Sequence, residues 1–287
     1  MRILETVSTK NTDVKHILKE EFGMTSGLIT KIKYNGQLLI NGKESKVIDK
    51  VKVGDKLKIF CPHTQNENII CVDGILDILY EDEDVLCINK PSKMPTHPSL
   101  NHHSDTLANI AMNYLLKNDN ELHIVTRLDS LTSGIVLIAK NSFSASKMCT
   151  KEYNLSIDKE YTGICRGLFK NKSGIIEAPI ARCDSSIIKR CVCETGKNAK
   201  TAYEVLKEIN GHSICKFKLF TGRTHQIRVH CQSIGHPLLN DFLYDAEADM
   251  NKSFKLYCTK LTFIHPLSKE KKTVSANLPK RFLENLI

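Results

Sequence analysis

The candidate chemistry is concentrated in one octet, Arg127-Leu128-Asp129-Ser130-Leu131-Thr132-Ser133-Gly134. It holds a cation, a carboxylate and three hydroxyls, and the apolar run Ile135 to Ala139 follows at once. Short β-branched runs bounded by turn residues fit buried strands, so the octet is expected to be a polar loop leading into a core strand. A loop fixed to a rigid strand can hold a reactive group still. Asp, Ser, Thr and Gly are equally the ordinary residues of a turn, and the octet alone does not separate the two readings. A second polar cluster, Thr221-Gly222-Arg223-Thr224-His225-Gln226-Ile227-Arg228-Val229-His230, follows the apolar strand Phe217 to Phe220. There Thr224 is expected to cap a helix that turns Ile227 and Cys231 inward and sets Arg228 one turn along. His225 and His230 are five apart, off a common helical face, so a metal pair is not expected. Each reads as a structural hydrogen-bonder.

These groups need a scaffold, and 287 residues suffice for one large domain and a small one. Hydrophobic and charged contents of 41% and 25% are ordinary for a soluble globular chain, while a net charge of +9 favours a polyanionic partner. No apolar run has signal-peptide or transmembrane length, so a cytoplasmic protein without membrane association is expected. The 11 cysteines then read as reduced thiols, many of them small core residues. Cys183, Cys191 and Cys193 invite a metal reading, but a Cys-X-Cys pair without a second ligand cluster is poor zinc spacing, and no metal is expected.

Residues 1–60 read as a separate module. Val14, Ile17, Leu18 and Phe22 recur at helical spacing, and Leu28, Ile29 and Ile32 mark a second short helix. Leu38 to Lys43 reads as a strand entering an Asn-Gly hairpin turn, and Val51 to Ile59 as one half-exposed strand. The module holds twelve Lys or Arg against seven Asp or Glu, so it carries more than half of the net charge. Residues 61–76 lack periodicity and read as a linker, and residues 77–287 as the second domain. In it, strands around the acidic turn Glu81–Asp84 form a hairpin. Pro91, Pro95 and Pro98 stiffen the next loop, and residues 104–117 and Ser142–Tyr153 read as helices. Strand signals recur from Ile157 to Leu206, and Leu256 to Ile264 is a strand ending at His265-Pro266. Many strands and few helices predict an α+β domain with a mixed, mainly antiparallel sheet. No phosphate-binding glycine loop or dinucleotide fingerprint is present.

Arg127-Leu128-Asp129-X-X-Thr132-Ser133-Gly134 resembles the signature of the RluA-type pseudouridine synthases. Further blocks resemble the family in its order: Asn89-Lys90-Pro91, Lys159-X-Tyr161, Gly196-Lys197-X-Ala199-X-Thr201, the cluster Thr221–His230, Gly235-His236-Pro237 and Phe263-X-His265-Pro266. Residues 1–60 are similar to the S4 RNA-binding domain, with Lys15, Lys19, Lys31 and Lys33 on the helical part. Four places depart from the family pattern: Thr126 stands for a usual His, Lys93 and Asn240 for glycines, and Tyr257-Cys258 for a common His-Ala.

The resemblance implies isomerisation of uridine to its C-glycoside in structured RNA, ribosomal before transfer RNA, by a monomer needing neither cofactor nor metal. It implies that Asp129 is the catalytic aspartate, Tyr161 the ring that stacks on the base and assists proton removal, Arg228 the aspartate's partner, and Arg127 the side chain that enters the RNA. The chemistry is consistent with this. A base inside a helix must be extruded before its glycosidic bond is remade, and breaking that bond calls for one ionised carboxylate. An arginine keeps such a carboxylate charged in a dry pocket, and a bidentate Arg228 fork is expected to fix the direction of Asp129. The competing expectation is a non-catalytic, S4-led RNA-binding or ribosome-assembly factor on the same fold.

Overall fold

The structure is a computed structural model that describes residues 2–63, 68–184, 186–249 and 251–284. The N-terminal part folds around its own core. Its antiparallel sheet has the order β1-β6-β3-β4, from β1 (Ile3–Val7), β3 (Gln37–Ile40), β4 (Lys43–Glu44) and β6 (Lys56–Phe60). A second small pair joins β2 (Thr12–Asp13) to β5 (Lys50–Val51). The helical spacing holds: α1 (Val14–His16) runs into a π-helical turn at Ile17–Glu21, α2 spans Ser26–Asn35, and Val14, Ile17, Leu18, Leu28, Ile29 and Ile32 are buried. Lys15, Lys19, Lys31 and Lys33 are exposed on these helices. Asn41 and Gly42 both take positive φ, as the hairpin turn requires.

One expectation fails here. Val51 to Ile59 is not one strand, because Gly54 turns left-handed at φ 90 between β5 and β6. The Asp55 carboxylate stabilises that turn by accepting from the Lys52 N–H at 2.8 Å and from Asn41 Nδ2 at 2.7 Å.

The larger part is a ten-stranded sheet whose main path runs β12-β15-β16-β11-β17-β10-β8-β7. Its strands are β7 (Ile78–Glu81), β8 (Val85–Lys90), β9 (His123–Ile124), β10 (Ser133–Ala139), β11 (Asp158–Arg166), β12 (Ser173–Glu177), β15 (Lys200–Ile209), β16 (His212–Leu219), β17 (Leu256–Ile264) and β18 (Lys271–Ser275). Its neighbours are antiparallel except β10 and β17, which run parallel at its centre. A separate ribbon pairs β13 (Ile180–Arg182) with β14 (Arg190–Val192).

Ile135 to Ala139 are fully buried and share a core with Val85–Ile88 and with Leu107, Ala108, Ala111, Met112 and Leu115 of α3 (Leu107–Lys117). That helix starts at Leu107 rather than residue 104, because Thr106 and Asn109 cap it reciprocally. The expected helix Ser142–Tyr153 is two, α4 (Ser142–Met148) and α5 (Lys151–Ser156). Extended backbone at Thr150 breaks it, and the Thr150 hydroxyl donates to the Lys147 carbonyl at 2.8 Å. The last α-helix among the described residues is α6 (Gln226–Ser233), and a short 3-10 helix follows at Lys280–Phe282.

The two parts are packed together through α4. Phe143 lies in the N-terminal core, edge-on to Phe22 at 6.4 Å, and Lys147 Nζ donates to the Phe22 carbonyl at 2.7 Å. Thr25 and Ser146 share a hydroxyl contact at 2.7 Å, and Arg2 reaches Asp84 at 2.9 Å. Of the expected linker, residues 64–67 lie outside the described residues. Residues 61–63 and 68–76 form no helix or strand, and Asn109 of α3 donates to the Ile70 carbonyl at 2.7 Å.

Candidate active site

The octet is more than a turn. Gly134, the second residue of β10, lies opposite Cys258 of β17 at φ 111, and a Cβ there would lie 2.3 Å from the Cys258 carbonyl oxygen. The central parallel pair therefore closes only over a glycine. From the other side the proline loop grips the octet. Lys90 is fully buried, and its ammonium donates to the carbonyls of Pro91, Met94 and Ser130 at 2.9, 2.7 and 3.1 Å. Burial, opposed by the Asp129 charge, lowers its pKa to about 7, while three carbonyl acceptors match the three hydrogens of the charged form. Ser92 donates to the Leu131 carbonyl at 2.6 Å, and the buried Thr96 hydroxyl donates to the Leu128 carbonyl at 2.7 Å. Thr126, at the place of the usual His, accepts the Leu137 N–H on its hydroxyl at 2.9 Å and so ties the chain to β10. Asp129 projects from this held loop with its side chain 33% exposed, and Arg127 is exposed beside it.

Sheet register supplies the next group. Cys258 pairs with Gly134 on one side and with Tyr161 of β11 on the other, at a break in register between Glu160 and Tyr161. Tyr161 is 4% exposed. Burial first, then Cys258 and Asp129, hold its phenol well above the usual range, so the ring stands there as a neutral phenol at neutral pH. Lys159 lies 6.0 Å from the centre of that ring, and burial lowers its pKa although Cys258 and Asp129 favour the charge.

Arg228, on α6, is 3% exposed and lies between two rings, at 5.0 Å from Tyr244 and 5.3 Å from Phe254. Its fork does not hold Asp129. Nε and Nη2 bind Asp241 at 2.7 and 2.6 Å, whereas Nη1 lies 3.8 Å from Asp129 Oδ2. Burial opposes its charge, yet Asp241 offsets this and raises the pKa. The helix is also entered differently from the expectation. Its N-cap is His225, at φ 58, rather than Thr224, and no side chain caps it. Gln226 organises the corner instead, donating to the Lys200 carbonyl and accepting from the Thr221 hydroxyl and the Arg223 N–H. Ile227 and Cys231 do point inward. His230 is fully buried between the Thr201 hydroxyl and the Ala178 carbonyl, at 2.8 and 3.0 Å.

A sequence profile of the family described as RNA pseudouridylate synthase matches residues 84–233, which span this site. The chain belongs to that family. Among similar proteins is an uncharacterized RNA pseudouridine synthase of Bacillus subtilis, YjbO, 38% identical over 263 residues, covering 90% of this chain and 93% of that one. The ribosomal large subunit pseudouridine synthase D of Blochmanniella floridana is 35% identical over 242 residues, covering 77% and 74%. The solved structure of human RNA Pseudouridylate Synthase Domain Containing 1 has a TM-score of 0.61 and 26% identity, covering 71% of this chain and 84% of that one. The protein is an RNA pseudouridine synthase, an isomerase acting on RNA.

Within this synthase the structure brings Asp129, Tyr161 and Arg228 to one place and leaves Arg127 at its exposed rim. Asp241, Tyr244 and Thr96 also build it and were not singled out from sequence, and they are joined by His225, read there as a structural hydrogen-bonder, and by the buried Lys90 of the Asn89-Lys90-Pro91 block. Lys93 and Asn240, at usual glycine positions, keep left-handed backbone at φ 63 and φ 60. Among the described residues no group of three or more His, Cys, Asp or Glu is arranged to hold a metal ion.

Proposed function

We propose that this synthase isomerises uridine in structured RNA, large-subunit ribosomal RNA in particular, with Asp129 as its reacting carboxylate. In the reaction the N1–C1′ bond of the nucleotide breaks, a C5–C1′ bond forms, and the C5 proton is lost while N1 gains one. Asp129 serves the broken sugar bond, either by bonding to the nucleotide or by stabilising and deprotonating the sugar. Tyr161 provides the face on which the detached uracil turns. Arg228 keeps a positive charge behind the carboxylate, and Arg127 reaches into the RNA to hold the extruded nucleotide. Residues 1–60 act as an S4-like RNA-binding module through Lys15, Lys19, Lys31 and Lys33.

The observation that supports this best is the setting of Asp129: a partly exposed carboxylate on a loop clamped by Lys90, Ser92 and Thr96, beside the buried Arg228 cation. The name of the Blochmanniella relative supports the ribosomal target. The protein works as a cytoplasmic monomer; no described helix is long and apolar enough to cross a membrane.

Asp129→Ala and Asp129→Asn should abolish pseudouridine formation and leave RNA affinity within about twofold. Product from either variant would remove Asp129 from the chemistry. Base-resolved mapping of RNA from cells with and without the gene should show a lost modification in large-subunit RNA. An unchanged map would instead favour a pure RNA binder.

A further inference from the structure

The fork of Arg228 is committed to Asp241, so Asp129 needs a second donor to fix its direction. The ring of His225 is placed to supply it. Its Nε2 lies 4.0 Å from Asp129 Oδ2, and its Nδ1 lies 2.9 Å from the Tyr244 hydroxyl. That hydroxyl already accepts the Arg190 backbone N–H at 2.9 Å. Tyr244 is 6% exposed, and among the described residues its hydroxyl proton has one acceptor in reach, His225 Nδ1. If Nδ1 carried the ring proton, the buried hydroxyl would be left with nothing to donate to, at a real cost. The donors therefore run one way, from Arg190 N–H to Tyr244, from Tyr244 to His225 Nδ1, and from Nε2–H toward Asp129.

We propose that His225 is a positioning residue of this synthase: Tyr244 fixes its neutral Nε2–H tautomer, and that hydrogen directs the carboxylate of Asp129. The inference rests on the reading of Asp129 as the reacting carboxylate. The charged and titratable groups facing His225 are Asp129 from the octet, Arg228 on α6, Asp241 and Tyr244 after it, and Arg190 on β14. Burial dominates over the attraction of Asp129 and lowers the imidazole pKa, which keeps the ring neutral at neutral pH. A protonated ring would instead form a full ion pair with Asp129, draw the carboxylate from the sugar and weaken it as a base.

Three variants test this in kcat and KM, measured over RNA concentrations up to saturation and across pH. Tyr244→Phe keeps the ring packed and removes the donor to Nδ1. Its rate should fall about tenfold with KM nearly unchanged, and the acid limb of its pH profile should move to higher pH. His225→Gln can hold an amide hydrogen near the place of Nε2, while His225→Asn is too short to do so but better suits the left-handed backbone. Gln should therefore outperform Asn and lose the histidine limb, so that its rate persists to lower pH than in the wild type. If the role of His225 were only to cap α6, Asn would be the better substitute and neither pH profile would move. That result, or a Tyr244→Phe enzyme with the wild-type rate and acid limb, overturns the proposal. Activity in Asp129→Ala would overturn the underlying reading instead.

Discussion

Arg228 gives its two-pronged edge to Asp241 at 2.7 and 2.6 Å and holds only Nη1 toward Asp129, at 3.8 Å. Asp241 is fully buried and Arg228 nearly so, which makes this a core ion pair lying behind the candidate catalytic carboxylate. Truncating one partner of such a pair leaves an uncompensated buried charge. Asp241→Ala should lower unfolding stability by about 3–5 kcal/mol in chemical denaturation, and the surviving fold should be nearly inactive. A stability loss below about 1 kcal/mol would mean that Arg228 finds another partner, Asp129 being the nearest.

Thr96 tests the clamp on the octet. Thr96→Val conserves shape and removes the hydroxyl that donates to the Leu128 carbonyl and receives the Leu128 N–H at 3.3 Å. The expected cost is about 1–3 kcal/mol, because the Leu128 groups lose their partner in a buried place. The chemical step should slow at saturating RNA, since Asp129 is the next residue along. An unaltered rate would show that Lys90 and Ser92 hold the loop without it.

Gly134→Ala addresses the centre of the sheet. The added methyl would meet the Cys258 backbone at a position where φ is 111, so neither rotamer change nor a flexible neighbour relieves it. A loss of about 3 kcal/mol or more is expected, read as a lowered midpoint in denaturant. A variant as stable as the wild type would contradict the parallel pairing of β10 with β17.

Acid sensitivity should trace in part to Asp82, in the β7–β8 turn. Burial raises its pKa, but His265, the Tyr80 hydroxyl and the N–H groups of Asp84 and Val85 outweigh it, so the carboxyl is held below the usual carboxylate range. A carboxyl depressed in the folded state stabilises above its unfolded pKa, and that stability is lost as pH falls toward the folded value. Asp82→Asn should therefore cost about 2 kcal/mol at pH 7, with the gap to wild type narrowing below about pH 4. A gap independent of pH would mean that the amide's shape, not its missing charge, is responsible.

The basic module is best tested by charge removal. Phe143 of α4 is part of the N-terminal core, so deleting residues 1–60 would uncover it and confound binding with stability. Replacing Lys15, Lys19, Lys31 and Lys33 together by Gln should weaken RNA binding. It should also flatten the slope of log affinity against log salt by about 0.7–0.9 for each lysine that contacts phosphate. An unchanged slope would place the RNA elsewhere.

Local pattern carried much of this fold. The apolar run Ile135–Ala139, the Asn41-Gly42 turn and the helical spacing of Val14, Ile17 and Leu18 each report a demand that neighbours in the chain satisfy. Breaks were less legible. Gly54 and Thr150 interrupt elements through φ choices and side-chain hydrogen bonds that periodicity does not register. The lysine-rich strand β18 escaped notice because its sequence lacks a clear apolar alternation.

The sequence by itself determined the mainly antiparallel α+β class, the basic N-terminal segment, and Asp129, Tyr161 and Arg228 as residues to watch, through periodicity, charge and motif order. Only the tertiary structure decided who holds whom. Arg228 turns to Asp241, Tyr244 to His225, and Lys90 with Thr96 to the octet, across sequence separations that no local pattern encodes. A buried fork or hydroxyl pairs with whichever group the fold leaves within about 3 Å, and that choice exists only once the sheet has closed.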